Sequence, residues 1–155
     1  MDARPATVED APELIRLAAV MFASMGLDAD APEWRQEARR VLATGLGTPA
    51  IAAFVVDDPD RPGKLCSSGG VTVTQRLPSP ATPDGRWGHV QWMATDPAHR
   101  QKGCARAVFA AIVGWLRAEG VAVAELNATA EGEGLYRSFG FGEPRNPSLR
   151  MHFNR

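Results

Sequence analysis

A short basic, glycine-containing segment at a predicted strand-to-helix junction has the residue types needed to bind phosphate groups. Arg100, Gly103 and Ala105 follow the pattern Arg-x-x-Gly-x-Ala, and Lys102 and Arg106 add positive charge around it. The first turn of a helix leaves backbone N–H groups without intrahelical partners and concentrates positive dipole there. Because glycine and alanine leave room for close approach, the segment predicts the binding of a diphosphate-bearing cofactor.

A second block of residues lies one predicted helix and one predicted strand further along the chain. It reads Leu-Tyr-x-x-x-Gly-Phe and comprises Leu135, Tyr136, Gly140 and Phe141. Together, and in this order, the two blocks resemble those of the GNAT acetyltransferase superfamily. In that family the first block binds the pyrophosphate of acetyl-CoA, and the second follows a later strand as a short helix.

The resemblance implies an enzyme that transfers an acetyl group from acetyl-CoA to a primary amine, by direct attack of the amine in a ternary complex. Met93 would direct its backbone N–H at the thioester oxygen, and Thr95 would pair with pantetheine through its main chain. Tyr136, the only tyrosine of the chain, would protonate the departing CoA sulfur as general acid. The alternative for Tyr136 is a core residue packed under the sheet.

The resemblance also places cofactor contacts around residues 96–103, called the phosphate loop below, and near the end of a later strand. The expected contact residues are Met93, Thr95, Arg100, Gln101, Lys102, Gly103, Cys104, Ala105, Arg106, Asn127 and Thr129. Asn127 or Thr129 could instead cap the short helix that follows. Cys104 is a candidate nucleophile because a helix N-terminus generally lowers the pKa of a thiol. The family pattern, in which this position is variable, favours direct attack by the amine.

A general base is expected on the central strand. His89 lies four residues before Met93, where some family members carry a catalytic glutamate, and imidazole generally titrates near neutral pH. In a regular strand His89, Gln91 and Met93 would share one face, although a bulge common in the family would change this. The alternatives are a histidine without a proton-transfer role and deprotonation through water. His99 is expected to cap or solvate the phosphate loop.

Hydrophobic periodicity predicts the elements that position these residues. Helices are predicted at 7–25, 32–44, 103–119 and 131–138, and strands at 2–4, 50–56, 64–75, 87–95, 121–126 and 148–153. Strands interleaved with helices predict an α/β (α+β) fold with a mixed sheet. The GNAT resemblance implies a twisted sheet of six or seven strands with about four helices, splayed at the central strands to form a cleft for pantetheine.

Size and composition narrow the class of protein. A chain of 155 residues with 45% hydrophobic content can bury one substantial core, so 1–155 is interpreted as one N-acetyltransferase domain. A formal net charge of −1 gives no reason to expect a nucleic-acid partner. Cys66 and Cys104 have no companions at metal-ligand spacing, which predicts no metal and a reducing cytoplasm. No apolar run approaches the length of a membrane span, and homodimer formation is compatible with the sequence.

The acceptor amine is left open by the sequence. Residues 69–74, the proline-rich loop 77–86 and the run from Ala128 resemble a bacterial branch of the family that specifies no substrate, so amino sugars, amino acids, polyamines and protein N-termini all stay candidates. The family builds its acceptor pocket from segments near 24–34, 77–86 and beyond Gly142. Their composition here suits a small amine with an apolar body; the alternative is ordinary helix packing by Trp34 and solvated surface acids. The alternative function is a catalytically silent CoA-binding sensor. A Rossmann-type domain is disfavoured because Gly-x-Gly-x-x-Gly is absent.

Overall fold

The computed structural model describes residues 2–154, in which helices and strands alternate as expected for a mixed α/β fold. The elements are β1 (Arg4–Pro5), α1 (Ala11–Ser24), α2 (Pro32–Gly45), β2 (Ile51–Asp57), β3 (Leu65–Gln75), β4 (Arg86–Thr95), α3 (Cys104–Ala118), β5 (Val123–Glu125) and α4 (Glu133–Ser138). The largest difference from the predicted bounds is at α1, because Val8–Asp10 forms a 3₁₀ turn in which Asp10 accepts the Thr7 N–H at 2.8 Å. Within 2–154, no helix combines the length and apolar composition that crossing a bilayer requires.

The five strands form one mixed sheet in the order β1-β2-β3-β4-β5. The first four strands pair antiparallel, and β5 joins β4 in parallel after the crossover through α3. The mixed character of the sheet is therefore confirmed. The number of strands is lower than the predicted six or seven, counted over the described residues.

The strand predicted at 148–153 is wrong. Leu149, Met151 and Phe153 alternate as they would in a strand, yet their exposed fractions are 92%, 74% and 78%. The segment pairs with no strand within residues 2–154. Alternation determines which face a side chain would occupy, but it does not supply the backbone hydrogen bonds to a neighbouring strand, which this segment lacks among the described residues.

The sheet separates two hydrophobic clusters. α1 and α2 cover one face, where Leu14, Ile15 and Leu17 pack against Val55 of β2. α3 covers the other face with an apolar stripe at helical spacing. That stripe comprises Val108, Phe109, Ile112 and Leu116, all buried. α4 packs against the same cluster, so the second sequence block lies beside α3 and the sheet.

Candidate active site

The phosphate loop leads directly into α3 and leaves the first turn of that helix accessible. Gln101 and Gly103 have left-handed backbone conformations, with φ values of 61° and 85°. A Cβ atom at Gly103 would meet no other atom within 4 Å, so the space beside this glycine is open. The first-turn N–H groups of α3, which have no partner within the helix, begin at the next residue. Arg100 and Lys102 are exposed beside them. This donor set fits the diphosphate of coenzyme A.

Asp96 anchors the beginning of the phosphate loop. Its Oδ1 accepts the Ala98 N–H at 3.1 Å and caps the 3₁₀ turn Pro97–His99. Its Oδ2 lies 3.0 Å from Arg61 Nη2 and 3.7 Å from Arg16 Nη1. The hydrogen bond from Ala98, followed by the two guanidinium groups, lowers the pKa of Asp96. The loop is thus held by charges from α1 and from the β2–β3 turn.

His99 does not cap or solvate the phosphate loop as expected. Its side chain is buried, and its Nε2 lies 3.4 Å from Oδ2 of the fully buried Asp58 carboxylate. Asp58, Asp60 and His99 offer possible ligand atoms within 4.8 Å of one another. However, both Asp58 oxygens already accept hydrogen bonds, from the Asp60 N–H at 2.8 Å and from Arg61 Nε at 2.9 Å. The cluster is accounted for as the internal support of the loop.

The side chain of Cys104 points away from the accessible side of α3. It is buried, its Sγ lies 3.7 Å from the His99 carbonyl oxygen, and it belongs to the same core cluster as Cys66. Burial, followed by the neighbouring Cys104 thiol, raises the pKa of Cys66 to about 12. Cys104 can therefore serve a cofactor only through its backbone, and its burial argues against attack on a thioester.

One edge of β4 is open where the cofactor's pantetheine arm was expected. β5 pairs with β4 only at Trp87–His89, so the main chain of β4 from Val90 to Thr95 has no strand on that side within the described residues. This divergence of β4 and β5 is the predicted splay of the central strands. Thr95 lies at the end of the open edge, and its Oγ1 is 2.9 Å from Ser67 Oγ. Its backbone remains available to a chain lying in the cleft.

A bulge divides β4 and decides which face each residue occupies. Gln91 pairs with Gly70 and Ala94 with Ser68, so two residues, Trp92 and Met93, lie opposite one residue of β3. Trp92 has a φ of 59°. As a result Met93 packs into the α3 cluster, whereas Gln91 and Trp92 face α1 and α2.

The expectation for a regular strand is therefore corrected. His89 and Gln91 share a face, and Met93 lies on the opposite one, because the bulge inserts one residue between them. If His89 is the general base, it accepts the proton on the α1–α2 side of the sheet.

Tyr136 is half-buried between α4 and α3. Its ring centroid lies 4.9 Å from that of Phe109, and both residues belong to the cluster against which Met93 packs. Burial raises the pKa of Tyr136, so its hydroxyl keeps its proton at neutral pH. The hydroxyl has no hydrogen-bond partner among residues 2–154. The Tyr136 hydroxyl can therefore donate its hydrogen bond to a bound molecule.

Two of the expected cofactor residues, Arg106 and Thr129, form hydrogen bonds within the protein. Arg106 Nη2 donates to Ser138 Oγ at 3.1 Å, which braces α3 against α4. The carbonyl oxygen of Thr129 accepts the N–H groups of Gly132 and Glu133, both at 3.1 Å, in the turn before α4. Thr129 therefore stabilises the turn before α4, whose N-cap residue is Gly132. Asn127 is exposed after β5, and Ala105 is half-buried in the first turn of α3.

A carboxylate that sequence reasoning missed lies beside His89. β4 and β5 pair in a register that sets His89 opposite Glu125, and His89 Nδ1 is 4.0 Å from Glu125 Oε1. Both side chains are partly accessible, and Arg76 forms an ion pair with the same carboxylate. An acid and an imidazole at this separation can relay a proton through one water molecule.

A cavity of about 490 Å³ lies between α1, α2 and the sheet, and is called the α1–α2 cavity below. It reaches β4 at Gln91 and Trp92, immediately before Met93, and its walls are mainly apolar. Residues of α1, α2 and their connection line it, including Leu27 and Trp34. Neither the loop 77–86 nor the segment after Gly142, both expected in an acceptor pocket, contributes to its lining.

Comparison with protein-family models decides the family. The model described as an acetyltransferase (GNAT) domain matches residues 50–143, from β2 to just beyond α4. The chain belongs to the GNAT acetyltransferase family.

Solved structures support the GNAT fold over the whole chain. A GCN5-related N-acetyltransferase from Ralstonia eutropha JMP134 is 24% identical with a TM-score of 0.81, and 97% of each chain is covered. A predicted acetyltransferase with acetyl-CoA from Clostridium acetobutylicum is 17% identical with a TM-score of 0.82, covering 97% of this chain and 95% of that one. A ribosomal-protein-alanine N-acetyltransferase from Brucella melitensis is 22% identical with a TM-score of 0.69, covering 99% and 100%. No curated protein matches the sequence.

In this GNAT domain the candidate site residues that local sequence signals identified lie on both faces of the sheet, and two further residues came only from tertiary contacts. The phosphate loop, Met93 and Tyr136 border the α3 side of the cleft. Glu125 and Trp92 had no local signature, because each depends on a partner from a distant part of the chain. Asp96 caps the adjacent turn Pro97–His99, which is a local signal, but its ion pairs with Arg16 and Arg61 depend on distant segments. Knowing the register of β4 and β5 would have placed Glu125 beside His89, but the spacing of apolar residues does not define a register.

Proposed function

We propose that this GNAT domain is an acetyl-CoA-dependent N-acetyltransferase that acts on a primary amine by direct attack. The observation that carries the proposal is the open β4 edge, which runs from the bulge at Met93 toward the accessible first turn of α3. A nucleotide diphosphate at that turn and an extended thiol arm along that edge would bring the thioester to Met93 and Tyr136. The acetyl-CoA in the Clostridium acetobutylicum structure belongs to a protein of the same fold.

The proposed reaction needs one new bond, one broken bond and two proton transfers. Acetyl-CoA supplies the acetyl thioester as a substrate. The neutral amine nitrogen donates its electron pair to the acetyl carbon, the carbon–sulfur bond breaks, and its electrons pass to sulfur. The Met93 N–H would stabilise charge on the acetyl oxygen, and Tyr136 would give its proton to the sulfur. The amine loses one proton to His89 through water, or to water directly.

The base is proposed to be His89 assisted by Glu125. The two side chains lie opposite each other in neighbouring strands, on the α1–α2 side of the sheet. A His89→Gln variant keeps a hydrogen-bonding side chain and removes the proton acceptor, so we expect a lower kcat with little change in KM for acetyl-CoA. An unchanged kcat would favour deprotonation through water alone.

The test is acetyl transfer by the purified protein. Acetyl-CoA and a panel of primary amines are incubated with the protein, release of free CoA thiol is followed, and the acetylated amine is identified by mass spectrometry. Amine-dependent thiol release with one acetyl group gained per thiol supports the proposal. Tight CoA binding without thioester consumption for any amine would contradict it and favour the silent sensor.

A further inference from the structure

We propose that the acceptor is a primary amine carried on a bulky apolar body, preferably an aromatic ring, and that this body binds in the α1–α2 cavity. The inference rests on the proposed acetyl transfer and specifies its substrate class. The cavity volume of about 490 Å³ lies within the range typical of small-molecule sites. The lining of the cavity also includes Trp92, which directly precedes Met93 in the bulge of β4. A molecule seated there lies across β4 from the cleft proposed for the thioester.

The walls of the cavity select against polar molecules. Most lining residues are apolar; they include Leu14, Phe22, Leu27, Trp34, Leu42 and Trp92. A sugar or a polyamine chain in such a site would lose its hydrogen bonds to water without gaining partners. An apolar body would gain free energy in proportion to the area it buries.

An aromatic cluster forms one side of the cavity. The rings of Phe22 and Trp34 meet edge to face with centroids 5.3 Å apart, and Trp34 meets Trp92 in the same way at 6.1 Å. Trp92 reaches this side only because of the bulge in β4. Edge-to-face contacts of this kind also suit an aromatic ligand, which could extend the cluster.

A glycine of β3 helps to create the space. Gly70 lines the cavity and has no left-handed conformation that would require glycine. A Cβ atom there would be 3.5 Å from the Gln91 carbonyl oxygen and 3.9 Å from that of Ala52, which are ordinary contacts. Backbone geometry therefore does not require glycine at this position, and any larger side chain would occupy the cavity.

The polar groups of the lining define where the amine nitrogen would lie. Gln91 Nε2 donates to Thr72 Oγ1 at 3.0 Å, which orients the amide and leaves its carbonyl oxygen as an acceptor. Asp28 and Glu37 are exposed members of the lining and carry negative charge that would attract an ammonium group from solvent. The nitrogen is thus expected near Gln91, next to the reaction centre, with the apolar body toward Trp34.

The first experiment measures kcat/KM for a series of primary amines with fixed acetyl-CoA. The series comprises ethylamine, butylamine and 2-phenylethylamine, with ethanolamine, putrescine and glucosamine as polar comparisons. We expect kcat/KM to rise by roughly four-fold for each methylene buried, and 2-phenylethylamine to be the best of the six. A higher kcat/KM for glucosamine or putrescine than for 2-phenylethylamine would overturn the inference. The proposed acetyl transfer would still stand.

The second experiment fills the cavity. In Gly70→Leu we expect the ratio of kcat/KM for 2-phenylethylamine to that for ethylamine to fall by at least about ten-fold, which corresponds to the lost burial of two methylenes or more. The matched control is Gly114→Leu, at an exposed glycine of α3 with no atom within 4 Å of its Cβ position, where the ratio should not change. An unchanged ratio in folded Gly70→Leu overturns the inference. If that variant does not fold, the wild-type series decides.

A binding measurement separates failure of this inference from failure of the proposed function. If no amine is acetylated, calorimetry with 2-phenylethylamine is carried out on the wild type and on Gly70→Leu, both saturated with CoA. Binding that Gly70→Leu weakens at least ten-fold supports the apolar amine site in a protein that does not catalyse transfer. Absence of binding to the wild type overturns the inference as well.

Discussion

At the residue scale, the two groups proposed for proton transfer differ in environment as their tasks require. Tyr136 is half-buried against Phe109, which favours its neutral, protonated form. His89 and Glu125 are partly accessible, so water can reach them and carry a proton away. An acid that stays protonated and a base in contact with solvent are the arrangement that acetyl transfer to an amine needs.

Tyr136→Phe tests the acid. The ring and its packing on Phe109 are kept, so we expect kcat to fall by about 10²-fold with KM for acetyl-CoA nearly unchanged. Because burial raises the pKa of Tyr136, its proton is not lost in the neutral to mildly alkaline range. If the activity of the wild type falls between about pH 8 and 9, ionisation of Tyr136 is not the cause. The same fall is therefore expected in Tyr136→Phe. Steady-state kinetics across pH measure both effects, and full kcat in the variant would exclude the acid role.

At the element scale, the start of α3 and the bulge of β4 are the two irregular segments that shape the site. Gly103 turns the chain into α3 with a φ of 85°, and Trp92 turns β4 with a φ of 59°. Both conformations are costly for most residues and are maintained by their surroundings. Substitutions next to these turns should therefore affect function and stability together.

Gly103→Val tests the phosphate loop. A left-handed conformation costs a non-glycine residue about 1–2 kcal/mol, and a β-branched side chain would also crowd the first-turn N–H groups. We expect a lower melting temperature and a raised KM for acetyl-CoA. Gly114→Ala is the control, because alanine is favoured by up to about 1 kcal/mol in an exposed helix and Gly114 lies far from the loop along α3. Equal KM values in the two variants would contradict a phosphate site at Gly103.

Gly69→Ala tests the bulge. A Cβ atom there would lie 2.3 Å from Met93 Sδ and 2.9 Å from Cγ1 of the fully buried Val108. We expect overpacking to cost about 1–3 kcal/mol of the free energy of unfolding, and the displaced Met93 to lower kcat. The neighbouring Gly70→Ala meets only ordinary contacts and serves as the stability control. The free energies of unfolding of the two variants are compared by denaturant unfolding. Equal values would show that the side chains of Met93 and Val108 can move aside without loss of stability.

At the scale of the whole molecule, the sheet separates the proposed donor side from the acceptor side. The phosphate loop and Tyr136 lie with α3 and α4, whereas the α1–α2 cavity lies on the opposite face. The two sides meet at β4, where the bulge sends Met93 to one face and Trp92 to the other. Ion pairs between distant segments hold this arrangement, among them Arg4 with Asp10 and Arg16 with Asp96.

These ion pairs predict that the fold is weakened by acid. Three buried or partly buried carboxyl groups have lowered pKa values. The hydrogen bond from Arg4 lowers the pKa of Asp10. Hydrogen bonds from the backbone N–H groups of Asp60 and Ala98 lower the pKa values of Asp58 and Asp96, respectively. Since the folded-state pKa values lie below the unfolded value of about 3.9, the stabilisation is complete above that pH and is lost as the pH falls through the folded-state values.

The measurement is the melting temperature as a function of pH. We expect a plateau above about pH 5 and a steep fall below about pH 4. Asp96→Asn should lower the plateau and reduce the fall, because the amide does not titrate. A melting temperature that is constant down to pH 2 would contradict the assignment.

The sequence by itself determined the features that depend on a few neighbouring residues. The helical spacing of Val108, Phe109 and Ile112, and the glycine at the start of α3, are local signals because helix hydrogen bonds join residues four apart. The order of helices and strands up to α4 could therefore be predicted from residue spacing, whereas the family followed from the two sequence blocks. The role proposed for Tyr136 followed from the family resemblance.

Only the tertiary structure decided the features that depend on pairing between distant residues. The face of a strand residue changes with a single inserted residue, so the bulge alone separated Met93 from His89. The approach of Glu125 to His89 depends on register, and the burial of His99 depends on Asp58 from another strand connection. The cavity exists because helices and strands far apart in the chain enclose it, and no local pattern encodes an enclosed volume.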